Sequence, residues 1–366
     1  MAVPESTHLT LFFKKVQAHF GNHLPFVIYK KPDNSKIMGL FQQDNTLYTV
    51  QDFEETGYVF APFEGEEVVL IPENQSEVLV AEWIKPEANQ TSVVIENNNS
   101  IDKDKHQNLV QQGINAINNG LFSKVVLSRK ETVSITNFDI IETYKHLADS
   151  YPTAFAYCWY HPKKGLWMGA FSEQLLKIKH RELFTMALAG TQKWQEDSEI
   201  TWQTKEKEEQ QFVTDFIVDN LKPYITSINI SDPFSHKAGT VVHIRTDIKV
   251  TLNPAADLRQ IIAILHPTPA VCGLPKATAK EFILQYEGYN REYYSGYHGE
   301  LNKDFITGEK QTDLFVNLRC MQISYSKEMN TEAHLYIGGG ITKSSIPADE
   351  WEETVNKTRT MKKVLV

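Results

Sequence analysis

The stretch IGGGITKSSIPADEWEETVNK, residues 337–357, sets three consecutive glycines in front of a run of carboxylates. A glycine-rich turn that opens a helix favours an anion, because backbone N–H groups and the helix dipole both point at it. A phosphate loop would place Lys-Ser or Lys-Thr directly after its last glycine. Here Lys343-Ser344 comes late, and Asp349, Glu350, Glu352 and Glu353 follow, so a phosphate would be repelled unless a cation lay between. The spacing therefore predicts a short strand over Ala333–Ile337, a glycine turn, and a helix over Pro347–Lys363. Pro347 suits a first helical turn, and Glu350, Glu353 or Thr354, and Lys357 share one face.

Working outward, a second helix is predicted over Thr204–Leu221, where Val213, Phe216, Ile217 and Leu221 form an apolar stripe at helical spacing. Glu209 lies on that stripe one turn earlier. It is either an acid steadied by the helix dipole or a metal ligand. Carboxylates from two helix beginnings can share one hard cation, Mg2+ above all, which takes one or two protein carboxylates plus substrate and water. The histidines at 243, 266, 298 and 334 show no ligand spacing, so no His/Cys metal site is predicted.

Three further residues carry possible chemistry. Lys124 opens the apolar run Val125-Val-Leu127, either as a strand-entry lysine reaching for water or as a desolvated general base. Glu173 follows Met168-Gly-Ala-Phe-Ser172, where small residues admit a ligand to the backbone. Arg319 falls in the apolar strand predicted over Asp313–Ser324, and a buried guanidinium needs a carboxylate, whether from the protein or a substrate. Other predicted strands are Lys124–Arg129, the hairpin Ala154–Tyr160 with Gly165–Phe171, Leu183–Leu188, Thr240–Leu252 and Gly296–Leu301. Further helices are predicted from His106 to Asn118 and over Asp139–Ser150, Asp257–Leu265 and Lys276–Tyr289. The polar run Glu96–Lys105 reads as a surface linker.

At 366 residues with 41% hydrophobic content the chain can build a substantial core. A net charge of -9 leaves no footprint for nucleic acid, and no apolar run is long enough to span a membrane. The N-terminus lacks the pattern of a secretory leader, and Cys158, Cys272 and Cys320 form no disulfide framework; a cytoplasmic protein is expected.

Taken in series, Lys124-Val-Val-Leu-Ser-Arg129, Leu188-Ala-Gly-Thr191, Leu265–Gly273, Glu287–Gly296, Leu318-Arg-Cys320 and Gly338–Lys357 resemble the chorismate-utilising enzymes. That family includes isochorismate, salicylate, anthranilate and aminodeoxychorismate synthases. The resemblance implies an α+β fold of two large antiparallel sheets forming a sandwich flanked by helices, like anthranilate synthase component I. Residues 103–366 would be the chorismate-binding catalytic region and residues 1–100 would complete the sheet, within one structural domain. It implies Mg2+ held by Glu209 and Glu353 with Glu350 nearby. Substrate contacts would come from Gly190, Thr191, His243, Ala270, Tyr294, Arg319, Gly338, Gly339, Gly340 and Lys357. Members that add water to chorismate resemble this chain in a lysine base at Lys124 and a glutamic acid at Glu173. Those that introduce nitrogen differ, either at the lysine or by a nucleophilic lysine in the slot of Ala189. The expected activity is therefore Mg-dependent interconversion of chorismate and isochorismate, serving quinone or siderophore synthesis. Salicylate formation is the alternative within the family, and a non-catalytic binder of small acids the alternative outside it. A monomer without an amidotransferase subunit is expected.

Overall fold

The computed structural model describes residues 4–85, 95–97, 100–194, 200–238, 241–325 and 331–365. Its described strands form one sheet of eleven and one of ten, almost wholly antiparallel, with the pairing of Glu5–Ser6 to Leu79–Val80 running parallel. The strand Phe155–His161 shows how the layers arise. Successive side chains of a strand point to opposite faces. Phe155, Tyr157 and Trp159 enter a cluster between the sheets. Ala156, Cys158 and Tyr160 face the other way, against the helices Leu9–Gly21 and Ile140–Ser150. Covered on both faces, the strand is buried throughout and reads as an unbroken apolar run.

The inter-sheet cluster joins Tyr29, Trp159, Trp167 and Tyr336 of the larger sheet to Tyr58, Phe60, Val69 and Phe315 of the smaller. The ring of Phe60 stacks on that of Trp159 at 4.5 Å, and each such buried ring contributes roughly 3 kcal/mol at most. On the outer face of the smaller sheet, Val213, Ile217 and Leu221 of helix Thr204–Leu221 and Ile261, Ile262 and Leu265 of helix Leu258–Leu265 close a third cluster. Strands from before residue 100 enter both sheets: Phe26–Lys30 pairs with Phe155–His161, and Gly57–Ala61 pairs with Tyr297–Leu301.

Four expectations need correction. The strand predicted over Asp313–Ser324 is two strands: Gln311–Val316 belongs to the smaller sheet and Cys320–Tyr325 to the larger. Arg319 is thus not a strand residue; it sits in the link between sheets with φ of 47°. Apolar residues on both sides of the link hid the break. The three glycines form no turn; they end the long strand Thr331–Ile341 and pair with Val126, Leu127 and Ser128. The segment read as a linker over 96–105 instead supplies strand Ile95–Asn97, paired to Val133–Ile135, and helix Ser100–Asn118. Finally, the strand predicted over Leu183–Leu188 runs over Glu182–Lys193.

Elsewhere the patterns agree with the structure to within a few residues. Asp139 and Asp257 cap their helices by accepting N–H bonds, so the helices start one residue later than predicted. The helix from Pro347 ends at Lys362.

Candidate functional site

Between the sheets, beyond the aromatic cluster, lies a cavity of about 970 Å³. Its lining includes Lys124, Glu173, Gly190, Glu209, His243, Ala270, Tyr294, Arg319, Gly338, Gly339, Gly340, Glu350, Glu353 and Lys357. Every residue given a catalytic, substrate-binding or metal-holding role from the sequence is therefore on its wall except Thr191. Thr191 pairs with His243 through its backbone, and its side chain lies outside the described ones.

Two parallel accidents of topology deliver the acid and the guanidinium. The chain leaves the larger sheet at Phe171 and enters the smaller at Gln174, so Ser172 and Glu173 form a crossover. The link Asn317-Leu318-Arg319 crosses between strands paired with those same two, in the reverse direction. Backbone bonds sew the crossovers together: Val316 N donates to Glu173 O at 2.9 Å, and Ala170 N donates to Arg319 O at 3.4 Å. Glu173 and Arg319 are thus held at one seam.

The carboxyl of Glu173 has no side-chain hydrogen bond or ion pair among the described residues. Burial pushes its pKa from 4.5 up to about 7, opposed by the positive charge of Lys124. The Lys124 ammonium donates to Glu209 Oε1 at 2.6 Å. Its strand begins at Lys124, and Gly340 opposite makes room, since a Cβ there would lie 3.0 Å from Lys124 Cε. Arg319 has no acidic partner within ion-pair distance among the described residues; its Nη1 donates to Thr360 Oγ1 at 3.1 Å. Burial lowers its pKa, with weaker opposing pulls from Tyr151, Tyr294 and Glu353. A buried cation facing a cavity without a counter-ion calls for an anionic ligand.

The glycines are needed for their missing side chains. A Cβ on Gly338 would come within 2.6 Å of the buried Tyr294 hydroxyl, and one on Gly339 within 3.2 Å of Glu350 Oε2 and 3.9 Å of Glu353 Oε1. Lys357 donates to Gly338 O at 2.9 Å and pairs with Glu353 at 2.6 Å. Glu350 is raised by burial first and by repulsion from Glu353, while Ser345 pulls it down. His243 contacts Gly190 O through Nδ1 at 3.1 Å, and burial holds it below the usual histidine range.

Among the described residues no three His, Cys, Asp or Glu side chains converge closely enough to hold a metal by themselves. His236 and His243 also line the cavity, but Glu209, Glu350 and Glu353 put three carboxylates on its wall, and Glu350 and Glu353 repel each other. That donor set fits a hard cation completed by substrate and water oxygens.

Sequence reasoning missed other parts of the wall, including Met186, His236, Lys237 and Arg245. His236 and Lys237 lie on strand Phe234–Ala238, whose polar composition gave no strand signal.

The sequence model described as chorismate binding enzyme matches residues 65–366. The chain is 29% identical over 265 residues to the salicylate biosynthesis isochorismate synthase of Pseudomonas aeruginosa, covering 70% of this chain and 53% of that one. It is 30% identical over 276 residues to the isochorismate synthase DhbC of Bacillus subtilis, covering 70% of this chain and 66% of the relative. The match thus spans between about half and two thirds of these relatives' lengths. In fold it is similar to MenF, the menaquinone-specific isochorismate synthase of Escherichia coli, with a TM-score of 0.77, 21% identity, and coverage of 93% of this chain and 89% of that one.

Proposed function

This chain belongs to the chorismate-binding enzyme family, and on that premise we propose that it interconverts chorismate and isochorismate. The observation that carries the reading is Glu173 beside Lys124 on one sheltered cavity, with the carboxyl pushed up to about 7. A carboxyl with that pKa keeps its proton in a good share of molecules near neutrality and can act as a general acid.

Lys124, as the free amine, takes a proton from water while the water oxygen bonds to C2 of the ring. Glu173 gives its proton to the C4 hydroxyl, which leaves as water, and the ring double bonds shift between the two carbons. One water enters and one departs, so the reaction is an isomerisation. The Lys124–Glu209 pair must open before the amine can face the ring. Arg319, Tyr294 and Lys357, with the backbone of Gly338–Gly340 and of Gly190 and Thr191, would hold the substrate carboxylates, and His243 and Ala270 complete the wall. Glu209, Glu353 and Glu350 would hold Mg2+, whose chemistry there is to neutralise and fix a carboxylate.

The reading carries with it a monomeric cytoplasmic enzyme whose product serves quinone or siderophore synthesis. Among the described residues no helix is long and apolar enough to cross a membrane. Purified protein given chorismate and Mg2+ should accumulate isochorismate, and EDTA should abolish this. Stoichiometric pyruvate with salicylate fluorescence would assign it instead to salicylate formation, and absence of any turnover would favour a binder of small acids. Lys124→Ala should lower turnover by about 10³-fold while chorismate binding stays within a few-fold.

A further inference from the structure

Asn317 touches none of the cavity, yet it is 1% exposed and bonded on every side. Its backbone N donates to Gly296 O at 2.9 Å, and its carbonyl accepts from Ser295 N at 2.8 Å. Its side-chain Nδ2 donates to Tyr293 O at 2.8 Å, and its Oδ1 accepts from Tyr157 Oη at 2.7 Å. The orientation of the carboxamide is fixed by chemistry, since a backbone carbonyl can only accept. Asn317 therefore grips the turn Tyr293–Gly296, in which Ser295 is left-handed at φ 61°. That turn carries Tyr294, and two residues after Asn317 comes Arg319, itself left-handed at φ 47°.

We propose that Asn317 is a positioning residue, which with Tyr157 locks the turn of Tyr294 to the crossover of Arg319 so that both meet the substrate carboxylates as one unit. Non-glycine residues in the left-handed region are strained and persist only where their surroundings over-determine them. The four bonds around Asn317 supply that determination. Tyr157 anchors the knot to the interior of the sandwich, where its ring lies 4.4 Å from that of His298.

The inference rests on Arg319 and Tyr294 binding carboxylate, as proposed above, and the experiment separates the two claims. Tyr157→Phe removes one bond and keeps the ring; Asn317→Asp keeps the shape but sets an acceptor against the Tyr293 carbonyl. Tyr157→Phe should raise KM for chorismate by about tenfold, the worth of one buried hydrogen bond, and leave kcat within about twofold. Asn317→Asp should raise KM further. The dissociation constant of chorismate is then measured by calorimetry in a Lys124→Ala background, which stops turnover, with and without Arg319→Ala. If Asn317 acts through Arg319, the effect of Tyr157→Phe largely disappears once Arg319 is gone. An equal effect in both backgrounds, or an unchanged KM in Tyr157→Phe, overturns the proposal. Should Asn317→Asp fail to fold, Tyr157→Phe alone decides. If Arg319→Ala by itself leaves chorismate binding unchanged, the carboxylate reading fails, and that result is distinct from the others.

Discussion

Two buried glutamates on opposite parts of the sandwich share the same pKa and nothing else. Glu300, fully buried in the filled part, accepts from Tyr29 Oη and pairs with Lys31 Nζ, each at 2.5 Å, and also accepts from Phe305 N at 3.3 Å. Glu173 faces the hollow part and has no such partners among the described residues. Burial pushes both carboxyls to about 7. The difference lies in what surrounds them. Where rings such as Tyr29, Tyr58 and Phe155 fill the space between the sheets, a carboxyl is tied into a fixed network. Where Gly338, Gly339, Gly340, Gly190, Ala189 and Ala270 leave the space open, a carboxyl raised in the same direction faces the cavity without a bonded partner among the described residues. A shifted pKa therefore marks burial, and for these two carboxyls it is the bonded partners, present at Glu300 and lacking at Glu173, that tell them apart.

The sharpest way to break this comparison is to neutralise each acid in turn. Glu173→Gln should lower turnover by about 10²–10⁴-fold with the melting temperature unchanged or slightly raised, because a carboxyl that is costly to ionise has been removed. Glu300→Gln should do the reverse. It takes from Lys31 one of two carboxylate partners, Asp304 remaining at 3.0 Å, and should cost about 3 kcal/mol in denaturant unfolding. Turnover per folded molecule should stay nearly the same. If Glu300→Gln loses activity while remaining folded, the contrast is wrong.

The pH dependence sharpens it further. Glu173 must be protonated to act, and its pKa in the folded protein is raised to about 7. The share of Glu173 able to donate is therefore full below that value and falls as pH rises through it, so this residue sets a limb that drops by about tenfold per unit once well above. The rate profile of kcat/KM between pH 5.5 and 9, roughly the span over which such a group titrates, should show this limb, and Glu173→Gln should lack it. A smaller effect is expected from Gly338→Ala. The added Cβ would meet the Tyr294 hydroxyl at 2.6 Å, and displacing that buried side chain should raise KM for chorismate by about three- to tenfold and cost about 1–3 kcal/mol in unfolding.

Much of the cavity wall was legible in the chain itself. Lys124, Glu173, Glu209, Arg319, the glycines and the acids of the last helix were all picked out, and the structure brings them to one wall. Helices with a clear period or a capping residue were placed to within a few residues, as at Asp139 and Asp257. The failures have physical causes. Gln311–Tyr325 is apolar on both sides of its break, and periodicity cannot show that a chain changes sheets when both sheets are buried. Ile95–Asn97 is polar because it lies against one strand alone, so no apolar alternation announced it. The knot at Asn317 depends on Tyr157 and Tyr293, distant in sequence, and no local pattern reveals it.

Composition and local pattern by themselves determined the kinds of groups present: carboxylates at two helix beginnings, a lysine at a strand start, three consecutive glycines, and strands too apolar to be anything but buried. Tertiary structure alone decided which of them meet. Paired crossovers between two sheets carry Glu173 and Arg319 to the same seam, and a change of residue size along one sandwich makes one part core and the other cavity. The reason is that side-chain chemistry is a property of each residue, whereas burial and partnership are properties of contacts between residues hundreds of positions apart.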